Sequence, residues 1–150
     1  DVMAKACTGS GKTLSYLVPI IHALLEAGKD VRRENGTVAL LVAPTRELCS
    51  QIETIFKQLT SPFPWLVSTT LCGGEKRSSE KARLRKGEIV VIGTPGRIND
   101  HLVNTSAWKH DGLKWLVLDE ADRLLDMGFE PQLKDIIRIL DEHETPRQNA

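Results

Sequence analysis

The chain has 150 residues, 41% of them hydrophobic and 27% charged, a length and composition for one globular domain with enough apolar material for a core. Lys+Arg and Asp+Glu both number 20, so overall charge cannot attract nucleic acid and any such binding must come from a local patch. Cys7, Cys49 and Cys72 form no C-x-x-C pair, which argues against a zinc ribbon or a disulfide framework; with no apolar run of transmembrane length and no signal peptide, an intracellular protein without membrane contact is expected.

Val2-Met3-Ala4 reads as a short buried strand. It leads into Ala6-Cys7-Thr8-Gly9-Ser10-Gly11-Lys12-Thr13, a phosphate-binding loop of the Walker A kind. Glycines let the backbone curl so that successive N–H groups point into one concavity. Lys12 supplies a point charge for the β- and γ-phosphates of a nucleotide, and Thr13 a hydroxyl for Mg²⁺. The following helix aims its positive end at the same place. The general pattern has glycine at the first position, where this chain has Ala6.

From Lys12 the period becomes helical, with Leu14, Leu17, Val18, Ile21, Leu24 and Leu25 on one face. Pro19 predicts a kink and Gly28 a stop. After a polar connection over 29–36, the run 37–42 reads as a strand covered on both faces. Ala43-Pro44-Thr45 turns into a helix with Leu48, Ile52, Ile55, Phe56 and Leu59 inward, and Pro62 and Pro64 mark a loop. Residues 66–71 form a strand followed by Gly73-Gly74, and 78–84 a helix. Residues 88–92 form a strand broken by Gly93-Thr94-Pro95-Gly96, and a helix follows through Ile98, Leu102 and Val103. The last strand, 113–118, ends in Asp119-Glu120-Ala121-Asp122; a helical region over 123–140 is interrupted near Gly128 and Pro131.

Apolar strands alternating with helices predict an α/β domain, a mainly parallel sheet with helices on both faces. In such folds ligands sit at the carboxyl ends of the strands, and every Gly/Pro-rich motif here follows a strand. An apolar strand ending in Asp119-Glu120 is a Walker B arrangement: Asp119 is placed to hold Mg²⁺ opposite Thr13, and Glu120 to orient and deprotonate an attacking water. An acidic helix N-terminus is the bland alternative, and the upstream phosphate loop disfavours it.

Asp119-Glu120-Ala121-Asp122 spells D-E-A-D. With ACTGSGKT, PTREL (44–48), Gly73-Gly74, TPGR (94–97) and RLLDMGF (123–129), the chain resembles the first RecA-like domain of DEAD-box ATP-dependent RNA helicases over essentially its whole length. The resemblance accounts for Ala6, because the family's loop reads A-x-T-G-S-G-K-T. It implies a RecA-like P-loop domain using ATP and Mg²⁺, with Lys12, Asp119 and Glu120 catalytic. It also implies that Pro44, Thr45 and Arg46, Gly73 and Gly74, and Thr94, Pro95, Gly96 and Arg97 bind the sugar–phosphate backbone of single-stranded RNA with little sequence preference. For Arg46 and Arg97 the alternative is an ion pair with a carboxylate such as Glu47 or Glu120.

Asp122 has no metal role in this reading; the resemblance implies that it couples hydrolysis to domain closure through a Ser-Ala-Thr motif. That motif, the adenine-reading glutamine motif and the second RecA-like domain with its arginine fingers are not in residues 1–150. The chain therefore reads as a domain truncated at both ends, and the expected partners are RNA and a second RecA-like domain of the same chain, in a monomer. GGEKRSSEKARLRKG (73–87) is similar to the nucleolar subgroup that assembles the large ribosomal subunit, which implies a nucleolar location. Its basic residues otherwise read as a solvated helix face. The four histidines lack metal-ligand spacing, Trp115 is expected in the core, and Trp65 and Trp108 in loops; Cys7 reads as a packed loop residue. A non-catalytic RNA clamp and a DNA translocase of the same superfamily are the rival functions.

Overall fold

Four short strands carry the domain: β1 (Ala39–Val42), β2 (Ser68–Leu71), β3 (Val90–Gly93) and β4 (Trp115–Leu118). In this computed structural model, which describes residues 11–142, they pair in the order β2-β3-β1-β4, all parallel. The expected strand Val2-Met3-Ala4 lies outside the described residues. The helices are α1 (Lys12–Ala27), α2 (Arg46–Leu59), α3 (Arg77–Lys86), α4 (Pro95–Asn104), α5 (Ala121–Asp126) and α6 (Glu130–Glu142).

The period of two along β1 decides the layering. Ala39 and Leu41 pack with α1 and α2 residues such as Leu17, Ile20, Ile52 and Phe56 on one face. Leu40 and Val42 pack with Leu84 of α3, Ile98 of α4, Leu124 of α5 and Ile136 of α6 on the other. A strand covered on both faces has no polar side to present, which is why β1 and β3 read as unbroken apolar runs.

The observed strands begin about two residues later than the apolar runs suggest. At Thr37 the reason is visible: its hydroxyl donates to the Glu88 carbonyl at 2.9 Å and accepts from the Trp108 indole N–H at 2.8 Å, so it serves a side-chain network before the ladder starts. Trp108 lies in a loop as expected, and this network buries it against the Leu40 side of the core. Trp115 departs from its expected place in the core: it is 37% exposed, because β4 has a paired neighbour on one side only among the described residues. α1 runs through Pro19 as one helix. Pro131 does not interrupt a helix; it sits in the first turn of α6, where its missing N–H has no intrahelical partner to lose. The break falls at Gly128, in a left-handed conformation with φ 81°.

Candidate functional site

The register places every motif of the described residues on one edge. Val42 lies opposite Gly93 on one side and Leu118 on the other, and Leu71 lies opposite Gly93, so all four strands end at the same level. The chain leaves them into Pro44-Thr45-Arg46, Gly73-Gly74, Thr94-Pro95-Gly96-Arg97 and Asp119-Glu120. With the strand order, this edge has two halves: β2 and β3 carry the glycine and arginine motifs, β4 carries the acidic pair, and β1 stands between them.

Gly11 caps α1 in a left-handed conformation (φ 83°), and Lys12 and Thr13 open the helix. Ala6 to Ser10 lie outside the described residues. One turn on, the Tyr16 hydroxyl donates to Asp119 Oδ2 at 2.8 Å, and the Thr13 side chain hydrogen-bonds the same phenol. Tyr16 thus ties the opening of α1 to the end of β4. Burial, and then the Asp119 charge, push its pKa up, so it remains a hydroxyl donor. Asp119 is nearly buried, and its Oδ1 accepts from the Glu120 N–H at 2.9 Å. Sequence reasoning missed Tyr16; the available signal was its spacing, one turn beyond Lys12 and Thr13.

Glu120 has φ 49°, the only non-glycine with positive φ among the described residues. It caps α5, and its carboxylate lies 3.1 Å from Arg123 Nη1, one turn ahead. The carboxylate is partly open to solvent, and Asp122 is exposed on α5.

In the other half, the Thr45 hydroxyl caps α2 by accepting from the Leu48 N–H at 3.3 Å, which turns Arg46 outward while Pro44 is buried. The Arg46 guanidinium rests where a side chain on Gly74 would begin, and Gly74 has φ 88°. Thr94 caps α4, and Pro95 and Gly96 form its first turn, with Pro95 buried. Arg97 pairs with neither Glu47 nor Glu120. Its Nε lies 2.7 Å from Glu80 Oε2, off the line of the N–H, so the contact is an ion pair without an aligned hydrogen bond.

Glu80 is the organiser that sequence reasoning missed. It is fully buried on α3, faces His101 Nε2 at 2.8 Å with the same oxygen that meets Arg97, and accepts from the Gly73 N–H at 3.4 Å. His101 is equally buried, and its Nδ1 meets the Thr105 hydroxyl at 2.9 Å. One carboxylate therefore connects the Gly73-Gly74 turn, Arg97 and α4. The rest of α3 is largely committed within the protein. Arg77 pairs with Asp100, and Arg83 grips Glu75 and the Thr70 carbonyl and holds the Glu75 carboxyl below the usual range.

A metal test follows from the donors. No group of three or more His, Cys, Asp or Glu among the described residues could hold an ion by itself. Asp119 keeps lone pairs beyond the two hydrogen bonds it accepts, and Thr13 lies close by through Tyr16. One carboxylate and one hydroxyl fit Mg²⁺, which retains water and substrate phosphate as its other ligands.

The whole chain, residues 1–150, matches the family model described as DEAD/DEAH box helicase. The chain belongs to that family. It is similar to the ATP-dependent RNA helicase DBP7 of Gibberella zeae, at 50% identity over 93% of this chain and 19% of the relative. It is similar to DEAD-box ATP-dependent RNA helicase 17 of Oryza sativa, at 48% identity over 99% of this chain and 25% of the relative. It also matches a Dictyostelium discoideum protein named ATP-dependent DNA helicase DDX31, at 50% identity over 94% of this chain and 15% of that one. The chain thus spans a quarter or less of these curated relatives. The crystal structure of the yeast DEAD-box splicing factor Prp28 superposes with a TM-score of 0.82, at 32% identity, over 92% of this chain and 32% of that one. Prp28 thus shares the architecture described above.

Proposed function

We propose that this chain is the N-terminal RecA-like ATP- and RNA-binding domain of an ATP-dependent RNA helicase. The observation that carries the reading is the Thr13–Tyr16–Asp119 link, which joins the end of the phosphate-loop motif to the acidic end of β4. Lys12 is then the cation for the β- and γ-phosphates, and Glu120 takes a proton from the water that attacks the γ-phosphate. Asp119 and Thr13 would hold Mg²⁺, which when bound neutralises phosphate charge. Arg46, the Gly73-Gly74 backbone and the Thr94–Arg97 turn form the RNA half, acting on phosphates and therefore with little sequence preference.

In this proposal a second RecA-like domain of the same chain closes on ATP and RNA and supplies the remaining catalytic arginines, with Asp122 relaying closure. The wording of residues 73–87 supports a place in nucleolar ribosome assembly. In the full-length protein, Lys12→Ala abolishes ATP binding measured with a fluorescent nucleotide; unchanged affinity and turnover would show the site is elsewhere. The name of the Dictyostelium relative favours a second reading with DNA as substrate. Greater stimulation of ATPase by DNA than by RNA of one sequence would support it, and stimulation by RNA alone would support the first reading, since the 2′-hydroxyl is what separates the two.

A further inference from the structure

The two arginines of the RNA half stand in different surroundings. Arg46 is exposed, rests against Gly74 and forms no ion pair among the described residues. Arg97 is 23% exposed, and its charge is already answered: Nε lies 2.7 Å from Glu80 Oε2, a carboxylate with no exposure. Its Nη2 donates to the Glu75 carbonyl at 3.3 Å. Glu75 follows Gly74 directly, and the Gly73 N–H reaches the other Glu80 oxygen at 3.4 Å. The turn 73–75 is thus held at both ends, by Glu80 at its N–H and by Arg97 at its carbonyl, with Gly74 between them at φ 88°. We propose that Arg97 is a positioning residue that with Glu80 braces this turn, and that Arg46 is the arginine that meets RNA phosphate.

A phosphate could take Arg97 only by stripping it from Glu80. That would strand a buried carboxylate with the long Gly73 contact and His101. His101 does not replace the cation. Its Nδ1 meets the Thr105 hydroxyl at 2.9 Å and its Nε2 meets Glu80 at 2.8 Å. A neutral ring satisfies both contacts, accepting from Thr105 and donating to Glu80. Arg97, Glu80 and His101 together then carry no net charge, and Arg97 is the cluster's one cation. An arginine compensated in this way neutralises no phosphate and releases no counterion when RNA arrives, whereas an exposed and unpaired one does both.

The brace also needs the shape of a guanidinium. One part of the planar group faces the carboxylate while another reaches the carbonyl; a lysine ammonium is a single point charge and cannot serve both from one place. The role in RNA binding rests on the RNA reading above, whereas the brace itself does not.

The test titrates a fluorescent single-stranded oligouridine with the full-length protein and a non-hydrolysable ATP analogue over a range of KCl concentrations. Arg46→Gln flattens the plot of log affinity against log salt by about 0.7, the value for one contact on a single strand. Arg97→Gln weakens binding with the slope unchanged, and Arg97→Lys weakens it as much although the charge is kept. Glu80→Gln leaves Arg97 in place with its charge uncompensated, so the slope steepens. Hydrogen exchange without RNA reads the brace alone: the Gly73 amide exchanges faster in both Arg97 variants. Flattening by about 0.7 in Arg97→Gln, recovered affinity in Arg97→Lys or an unchanged slope in Glu80→Gln would overturn the positioning role and leave the RNA reading standing. Unchanged exchange at Gly73 would overturn the brace. Wild-type protein that binds no RNA would mark failure of the RNA reading itself, with the exchange result still deciding the brace.

Discussion

Replacing Glu80 separates the two things its carboxylate does. In Glu80→Ala, Arg97 loses its counter-charge and His101 its hydrogen-bond partner. Removing one partner from a buried pair costs about 3–5 kcal/mol, because the other charge stays buried and unpaired. Here the two survivors differ. The Arg97 side chain is 23% exposed and can turn to water, whereas His101 is 0% exposed and cannot. The loss therefore falls at the low end, about 3 kcal/mol, with Gly73 losing only a long contact of 3.4 Å. For a domain of this size that lowers the melting temperature by about 10 °C. Glu80→Gln is the control. Its carbonyl oxygen can occupy the Oε2 position and still meet Arg97 and His101, leaving the amide to face the already weak Gly73 contact. The expected cost is about 1 kcal/mol. Scanning calorimetry of the two variants, following the transition of this domain, reads the difference directly. If Glu80→Ala melts with the wild type, or if both variants fall equally, the carboxylate is not the hub described here.

Three further outcomes follow from the geometry. Glu120→Gln keeps nucleotide and RNA binding while hydrolysis drops about 10²–10⁴-fold, since the amide holds the shape but takes no proton; wild-type turnover in a phosphate-release assay would remove Glu120 from the base role. Gly74→Ala forces a side chain into a backbone at φ 88° and displaces the Arg46 guanidinium, so RNA affinity falls with the fold retained; unchanged affinity in a filter-binding titration would refute the contribution of that contact. Glu88 is pushed up by burial, with Arg33 at 3.0 Å offsetting part of the effect. The folded state then holds the Glu88 proton more tightly than the unfolded state, so this group's contribution is fully present below the unfolded carboxylate range and is lost as pH rises through the folded value. Glu88→Gln should remove that loss, so its stability relative to wild type rises with pH through the carboxylate range in urea titrations; parallel pH profiles would contradict the sign.

Much of this site was legible because its motifs sit where strands end. An apolar run that stops at Pro, Gly or Asp declares both the strand and the edge, as at Val42, Leu71, Gly93 and Leu118. Glu80 was not legible for a physical reason. It lies in a stretch dense with lysines and arginines, and nothing local distinguishes a buried carboxylate from solvated neighbours. Only the packing of α3 on the sheet, which buries Glu80 and Leu84 one turn apart, and the placement of His101 on α4 bring its partners together. The faint signal was that Glu80 shares a helical stripe with Leu84. Trp115 reads as core from its place in a strand but is partly exposed, whereas Trp108 lies in a loop as read and is buried only through the Thr37 network, which no local pattern announces.

The left-handed backbone of Glu120 sets fold and chemistry against each other at one position. An L-residue with a side chain adopts that conformation at a cost of about 1–2 kcal/mol, which glycine avoids and asparagine reduces. A randomised library at position 120 sorted only for resistance to heat or protease would therefore drift toward glycine and asparagine. The same library sorted for nucleotide turnover would return glutamate. The gap between the two winning populations measures, at a single codon, how far this domain's working sequence stands from its most durable one.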